Sequence, residues 1–401
     1  MKPAKKIVMV VGTFPSVSET FIVNKFVGLL EQGVDVHIVC SSFERTHLIN
    51  YPKLQPYLHH VHSTWPQKTI SAMILIPVLF FISLFGAFAR TVEFFKAGLS
   101  IQNLKRFYQD AVIILLKPDI LHFEFGAMAI GREYLKELLK CKVIVSFRGY
   151  DLNFSGLEDP QYYHEVWKYA DAIHCLGEDL WKRAQERGCP VDKPHYLIPP
   201  AIDVEFFKPT IEGATHQEER QAPIRILSIG RLEWKKGYEF ALQAIKILKD
   251  QGMNIQYEII GDGNYLEAIA FCRHQCGLEA EVDFLGKKSP TEIKNEMEHA
   301  HILIHPAISE GFCNAVLESQ AMELPVVVSD AGGLPENVVN GVTGFVVPRR
   351  DPKAMADKIR FLAENRELRA RMGRVGRERV MEKFQIDRQI NCFKEMYQEV
   401  I

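Results

Sequence analysis

Short apolar runs separated by amphipathic stretches recur along the whole chain. Ile7–Val11 is a continuous apolar run that ends at Gly12, in a strand-to-helix loop. An amphipathic segment follows to about Gln32, Gly33 stops it, and Val34–Cys40 alternates. Ser16-Val17-Ser18-Glu19 has the spacing of a capping box at that helix start. A buried run, a helical stretch and a second strand in this order predict a β-loop-α-β unit and a parallel sheet. Ile120–Phe123, Lys142–Phe147 and Ala172–Cys175 read as further strands with helical stretches between them. Lys208 to Pro223 (KPTIEGATHQEERQAP) is polar and poor in large apolar residues, and reads as an exposed linker. After it the alternation restarts. Strands are expected at Ile224–Ile229, Ile255–Ile260, Val282–Leu285, Ile302–His305 and Val326–Ser329, with a helix over Tyr238–Asp250.

The pattern therefore predicts an α/β protein of two doubly wound, Rossmann-like halves. The expected parts are an N-terminal domain over 1–207, a linker over 208–223 and a C-terminal domain over 224–385. A C-terminal helix over 386–401 is expected to pack back on the first domain. Ligands of such sheets sit beyond the carboxyl ends of the strands, so a central cleft between the halves is the expected site.

Composition narrows the picture. The 401 residues are 47% hydrophobic and 24% charged, which excludes global disorder, a collagen and a multi-span membrane protein. Lys+Arg 48 against Asp+Glu 50 leaves a net charge of −2, without the basic excess of a nucleic-acid binder. Eight cysteines are too sparse for a disulfide scaffold. Only Cys272 and Cys276 are close in sequence, and no zinc-type spacing accompanies them, so a reducing compartment and no structural metal are expected. The first apolar run is too short for a signal-peptide core. Thr69 to Ala89 (TISAMILIPVLFFISLFGAFA) is uncharged and long enough to span a bilayer. Two other readings stand: a core helix pair broken at Pro77, or an apolar surface dipping into one leaflet. Phe80, Phe81, Phe85 and Phe88, followed by Arg90, Lys96, Lys105 and Arg106, suit an interfacial element.

The densest chemistry lies between Glu310 and Glu318. Pro306 and Gly311 place Glu310 in a loop, with Glu318 about two turns into the helix that follows. The first-turn N–H groups of Asn314, Ala315 and Val316 would then form an anion site. From spacing alone, a nucleotide-sugar cradle and a helix with an ordinary first-turn glutamate are equally open.

The segment His305 to Val347 resembles the retaining glycosyltransferases of family 4, which have the GT-B fold. Glu310 and Glu318 match their paired-glutamate motif, and Gly332-Gly333-Leu334-Pro335-Glu336 matches the following loop. Gly230-Arg231-Leu232 with Lys236-Gly237, Ile260-Gly261-Asp262-Gly263 and Phe284-Leu285-Gly286 agree in order. Phe14 to Ile22, Lys117 to His122 and Arg148-Gly149-Tyr150-Asp151 are similar to a subgroup that builds bacterial exopolysaccharide and cell-surface glycans.

The resemblance implies that 1–207 is the acceptor-side domain and 224–385 the donor-side domain, with roles residue by residue. Glu310 would approach the donor sugar, while Gly311, Phe312 and Cys313 would present backbone groups to its hydroxyls. Glu318 would hold the ribose, Arg231 and Lys236 the diphosphate. Gly261 and Leu285 would complete the donor site, and Gly12 would let backbone approach a ligand closely. His122, Arg148 and Asp151 fall on the acceptor side, although a lone His after an apolar strand is more often structural. Three positions depart from the family. Arg148 stands for a common His, and either a bound phosphate or anionic acceptor, or a salt bridge to Asp151 or another acid, would account for it. Glu323 stands for a usual Gly, and Gly177 for a usual Ser.

The implied activity is transfer of a hexose from a nucleoside-diphosphate sugar to a glycan or lipid-linked acceptor in surface-polysaccharide synthesis. No cofactor or metal would be needed, because Arg and Lys supply the charge. The implied location is cytoplasmic, with peripheral attachment to the inner face of the membrane. Two alternatives share the architecture: a GT-B nucleotide-sugar epimerase and a non-catalytic sugar-nucleotide-binding subunit.

Overall fold

Near-continuous apolar runs are what parallel strands covered on both faces require, and all strand pairings among the described residues are parallel. The structure is a computed structural model that describes residues 5–16, 20–64, 101–210 and 222–400. The apolar tract 69–89, Val17 to Glu19 of the expected capping box and most of the expected linker lie outside the described residues. Among the described residues, no helix is long and apolar enough to cross a membrane.

The chain forms two units. The first comprises residues 1–176, 180–198 and 389–401, and the second 177–179 and 199–388. The first holds β1 (Ile7–Phe14), β2 (Val36–Phe43), β3 (Val61–Ser63), β4 (Ile120–Phe123), β5 (Lys142–Phe147), β6 (Ala172–Cys175) and β7 (His195–Leu197), in the sheet order β3-β2-β1-β4-β5-β6-β7. β1 runs three residues beyond the expected end at Val11, because Thr13 and Phe14 stay in register with Ser42 and Phe43. Gly12 is therefore inside a strand and not in a loop. The helix after β1 spans Thr20–Glu31 and buries Ile22, Val23, Phe26 and Leu29 on one face. The C-terminal helix Ile386–Val400 buries Ile390, Phe393, Met396 and Tyr397.

The second unit holds β8 (Ile224–Ile229), β9 (Ile255–Ile260), β10 (Val282–Gly286), β11 (Ile302–His305), β12 (Val326–Ser329) and β13 (Gly344–Val347), ordered β10-β9-β8-β11-β12-β13. Strand period 2 divides its core between the two faces of the sheet. Ile226, Ile302, Ile304 and Val327 join one buried cluster with Ala241, Ile245 and Leu248 of the helix Tyr238–Asp250. Leu227, Leu303, Val326 and Val328 join the other with Val316 and Leu317. Ile202, Val204 and Phe207 also bury in that second cluster. Residues 199–207 thus belong with the second unit, because their apolar side chains find their core there. In each unit the strand order reverses direction at the first strand, between β1 and β4 and between β8 and β11. Crevices at the carboxyl ends of such strands are where open α/β sheets bind ligands.

Candidate functional site

In the second unit the loops after β8 and β11 bring three titratable side chains together. The Lys236 ammonium donates to Glu310 Oε2 at 2.5 Å, and His305 Nε2 lies 3.1 Å from the same oxygen. Cys313 Sγ is 3.6 Å from His305 Nε2. Burial opposes ionisation of Glu310, but Lys236 and His305 outweigh it and hold the carboxyl well below the usual range. Burial also pulls Lys236 down, and the Glu310 carboxylate more than compensates, so its pKa is raised. For His305, burial lowers and the contacts with Cys313 and Glu310 raise, reaching about 9. At neutral pH two cations thus share one carboxylate. Arg231 adds an exposed guanidinium, 2.8 Å from Glu233. His305, Glu310 and Cys313 bring possible metal-ligating atoms within 4.8 Å of one another. The Lys236 ammonium sits on the carboxylate that a metal would need.

Backbone packing fixes these loops. Gly261 has φ +151°, and a Cβ there would stand 1.9 Å from the Gly230 carbonyl oxygen, so only glycine lets the turns after β8 and β9 touch. Gly333 donates its N–H to the Glu310 carbonyl at 3.0 Å, and a Cβ there would stand 2.0 Å from the Gly311 carbonyl. Asn337 is fully buried and clamps Cys313 from both sides, accepting its N–H at 3.2 Å and donating to its carbonyl at 2.9 Å.

The helix Asn314–Ala321 starts from Cys313 with no side-chain cap. Its first-turn N–H groups, on Asn314, Ala315 and Val316, have no intrahelical acceptor and carry the positive end of the dipole. Glu318 lies one turn in, nearer the start than the expected two turns, because the helix begins only at Asn314. Burial alone pushes its carboxyl up to about 7. Glu323 explains its own oddity. It sits at φ +61°, and the N–H groups of Glu323 and Leu324 donate to the carbonyls of Gln320 and Ser319. This is a Schellman C-terminus, whose left-handed residue is ordinarily Gly.

In the first unit, Glu124 follows β4 and is fully buried. It accepts from Lys25 Nζ at 2.5 Å and from Arg148 Nη2 at 3.0 Å. The Arg148 guanidinium stands over the Phe21 ring at 4.5 Å, and its Nε is buried with no hydrogen-bond partner. The salt-bridge account of Arg148 holds with another acid: the guanidinium pairs with Glu124 and not with Asp151, which takes the Arg148 backbone N–H at 2.9 Å. The other Asp151 oxygen accepts from Ala127 N–H at 3.1 Å. His122 is fully buried, with Nδ1 2.7 Å from Tyr397 Oη and Nε2 2.7 Å from Ser146 Oγ. Burial lowers its pKa well below the usual value, so the ring is neutral. Asp151 and His122 spend their polar atoms on partners inside the unit.

Of the residues expected from sequence, Arg231, Lys236, Gly261, Leu285, Glu310, Gly311, Phe312, Cys313, Asn314, Ala315, Val316 and Glu318 all belong to carboxyl-end loops, strand ends or the first helical turns of the second unit. Gly12 and Arg148 lie towards the equivalent ends in the first unit. His305, Asn337, Lys25 and Glu124 were not anticipated. His305 and Glu124 had one usable signal, a titratable residue closing or directly following an apolar strand.

Comparison with known proteins follows the same lines. Residues 214–379 match the family of glycosyl transferases group 1. The chain is 29% identical over 372 residues to the amylovoran biosynthesis glycosyltransferase AmsK of Erwinia amylovora, covering 86% of this chain and 87% of that one. It is 25% identical to a putative colanic acid biosynthesis glycosyltransferase, WcaL, of Escherichia coli, with the same coverage. Among solved structures, Anabaena HepE in complex with UDP-glucose superimposes with a TM-score of 0.75 at 14% identity, over 98% of this chain and 100% of that one. Residues 214–379 are thus similar to group 1 glycosyl transferases, and the two Rossmann-like units match the GT-B fold.

Proposed function

We propose that this protein is a retaining glycosyltransferase of group 1. In this reading it moves a hexose from a nucleoside-diphosphate sugar to a hydroxyl of a glycan or lipid-linked acceptor in surface-polysaccharide synthesis. The observation that carries the reading is the Lys236–Glu310–His305 cluster beside the first turn of Asn314–Ala321, with Glu318 in the next turn. Likeness to amylovoran and colanic acid glycosyltransferases over 86% of the chain supports the pathway class.

Glycosyl transfer develops positive charge on the sugar ring and negative charge on the leaving phosphate. Arg231, Lys236 and the helix start would face the diphosphate, where a preorganised cation lowers the barrier most. Glu310 would face the sugar and keep Lys236 fixed. Glu318 would accept hydrogen bonds from the ribose hydroxyls. In a same-face displacement the bond from the anomeric carbon to the phosphate oxygen breaks. The acceptor oxygen bonds to that carbon, and its proton passes to the leaving phosphate. Arg148 would meet an anionic acceptor, and residues 69–89 would hold the protein peripherally on the membrane.

The test is incubation of the full chain with a panel of nucleotide sugars and a lipid-linked acceptor. Release of nucleoside diphosphate is followed, and the anomeric configuration of the product is read by NMR. Retention with one donor supports the reading. An inverted product removes the retaining assignment. Absence of both turnover and thermal stabilisation by any donor removes the glycosyl-transfer reading, since ligand at 100 times its Kd adds about 2.7 kcal/mol.

A further inference from the structure

At the opposite end of the first sheet, where strands β2 and β3 begin, four imidazoles and a carboxylate converge. Asp35 precedes β2, His37 is its second residue, and His62 lies on β3. His60 closes the 3₁₀ segment Pro52–His60 that leads into β3. His37 Nε2 is 3.2 Å from Asp35 Oδ1, and His37 Nδ1 is 3.0 Å from His62 Nε2. The His37 and His60 rings lie 4.6 Å apart between centroids, and those of His59 and His60 4.4 Å. Asp35, His37 and His60 each bring a ligand atom within 4.8 Å of the others. The His60 ring is hydrogen-bonded to the Val36 backbone, and its Nδ1 is buried with no partner.

We propose that Asp35, His37 and His60 bind a divalent transition metal of the zinc, cobalt or nickel type. Two imidazoles and a carboxylate are a borderline-soft set that suits these ions better than magnesium or calcium. Ligand bonds of about 2.0–2.2 Å to a tetrahedral ion need donor atoms roughly 3.4 Å apart. The Asp35–His37 separation already meets this, and the other distances close with a small ring movement. The orphan His60 nitrogen gains a partner. His62 supplies the outer support that metal-bound imidazoles use. With metal on His37 Nε2, its proton resides on Nδ1 and is donated to His62 Nε2. Without metal, the His37 proton faces Asp35 and His62 donates to Nδ1. Lys6 places one positive charge near His37 and His62, and Asp35 offsets it. The side chains of His37 and Asp35 are 15% and 33% exposed, which leaves the ion a way in. A bound ion ties β2, β3 and the 3₁₀ segment together, away from the carboxyl ends where Arg148 sits.

The test uses the full chain freed of any affinity tag and stripped with chelator, titrated with Co²⁺ and then Zn²⁺ at pH 7.5. The expected result is one Co²⁺ equivalent with the visible bands of low-coordinate nitrogen and oxygen ligation, displaced by Zn²⁺. His60→Ala and Asp35→Asn should each weaken binding at least tenfold. His62→Gln should keep the site and weaken it about 10–100-fold. Asp35→Asn preserves shape, so it decides the matter if His60→Ala disturbs the fold by circular dichroism. Failure to bind Co²⁺, unchanged affinity in Asp35→Asn, or a thiolate-to-cobalt band abolished by Cys313→Ser would each overturn the proposal.

Discussion

Glu318→Gln separates stability from function at one atom. Burial raises this carboxyl from an ordinary value near 4.5 to about 7, with no compensating partner. A group whose pKa is higher folded than unfolded holds its proton more tightly in the native state. Its contribution is fully present below pH 4.5 and is lost as pH rises through about 7. At 1.36 kcal/mol per decade, the charged carboxylate costs the fold up to about 3 kcal/mol at pH 8 relative to pH 4. Glutamine has nearly the same shape and no charge. The variant should therefore be more stable than wild type at pH 8 by about 1–3 kcal/mol, with the gain shrinking towards zero near pH 5. In the proposed donor site the ribose hydroxyls donate to this carboxylate, and losing a charge-assisted hydrogen bond weakens binding by about 1.5–3 kcal/mol. Wild-type donor binding near pH 7 should also release protons, because the diol favours the ionised form, and the variant should release none. Urea denaturation at pH 5 and pH 8 measures the first effect. Calorimetric titration with a nucleoside diphosphate in buffers of different ionisation enthalpy measures the second. A variant whose stability tracks wild type at both pH values would refute the burial argument. Undiminished nucleotide affinity would refute the ribose role.

The other expectations come from the same geometry. Arg231→Ala and Lys236→Ala should each cut transfer by roughly a hundredfold or more. Only Lys236→Ala should also lower the denaturation midpoint, since it leaves Glu310 buried with one partner fewer, whereas the exposed Arg231 carries little of the fold. Glu310→Gln should lower kcat more than it raises KM, and the reverse pattern would move this residue away from the reacting carbon. Glu323→Gly should stabilise by about 1 kcal/mol, because it removes a left-handed non-glycine residue from the helix end, and a lower melting temperature would contradict this. Gly12 has an ordinary φ and open space around a Cβ, so Gly12→Ala should leave stability unchanged. Lost activity would then mark a ligand that passes close to the backbone, and wild-type turnover would remove that role.

The strands were legible because a parallel strand covered on both faces must be apolar at nearly every position. Ile302–His305 and Val326–Ser329 satisfy that locally, and Ile224–Ile229 and Ile255–Ile260 do so apart from Arg225, Ser228, Gln256 and Glu258. The helix Tyr238–Asp250 was equally legible from its 3.6-residue period and its start after Gly237. The short edge strands β3, β7 and β13 escaped, since three or four residues carry too little pattern, and those of β3 and β7 are only partly buried. The residues proposed for the donor site were readable because glycines, a proline and two glutamates stand in one local segment. Sequence alone did not decide which charges meet. Lys236 and Glu310 are 74 residues apart, Lys25 and Glu124 99 apart, and His122 and Tyr397 275 apart. Each pair is brought together by strand order, which depends on how helices cross over a sheet and not on any local preference. The same holds for Asp35, His37, His60 and His62, which read as scattered polar residues until the parallel register of β2 and β3 and the adjoining 3₁₀ segment set them side by side. Local pattern determined the elements and the residue content of the loop and helix start between Glu310 and Glu318. Tertiary structure determined the protonation states, because only packing decides which charge is buried beside which.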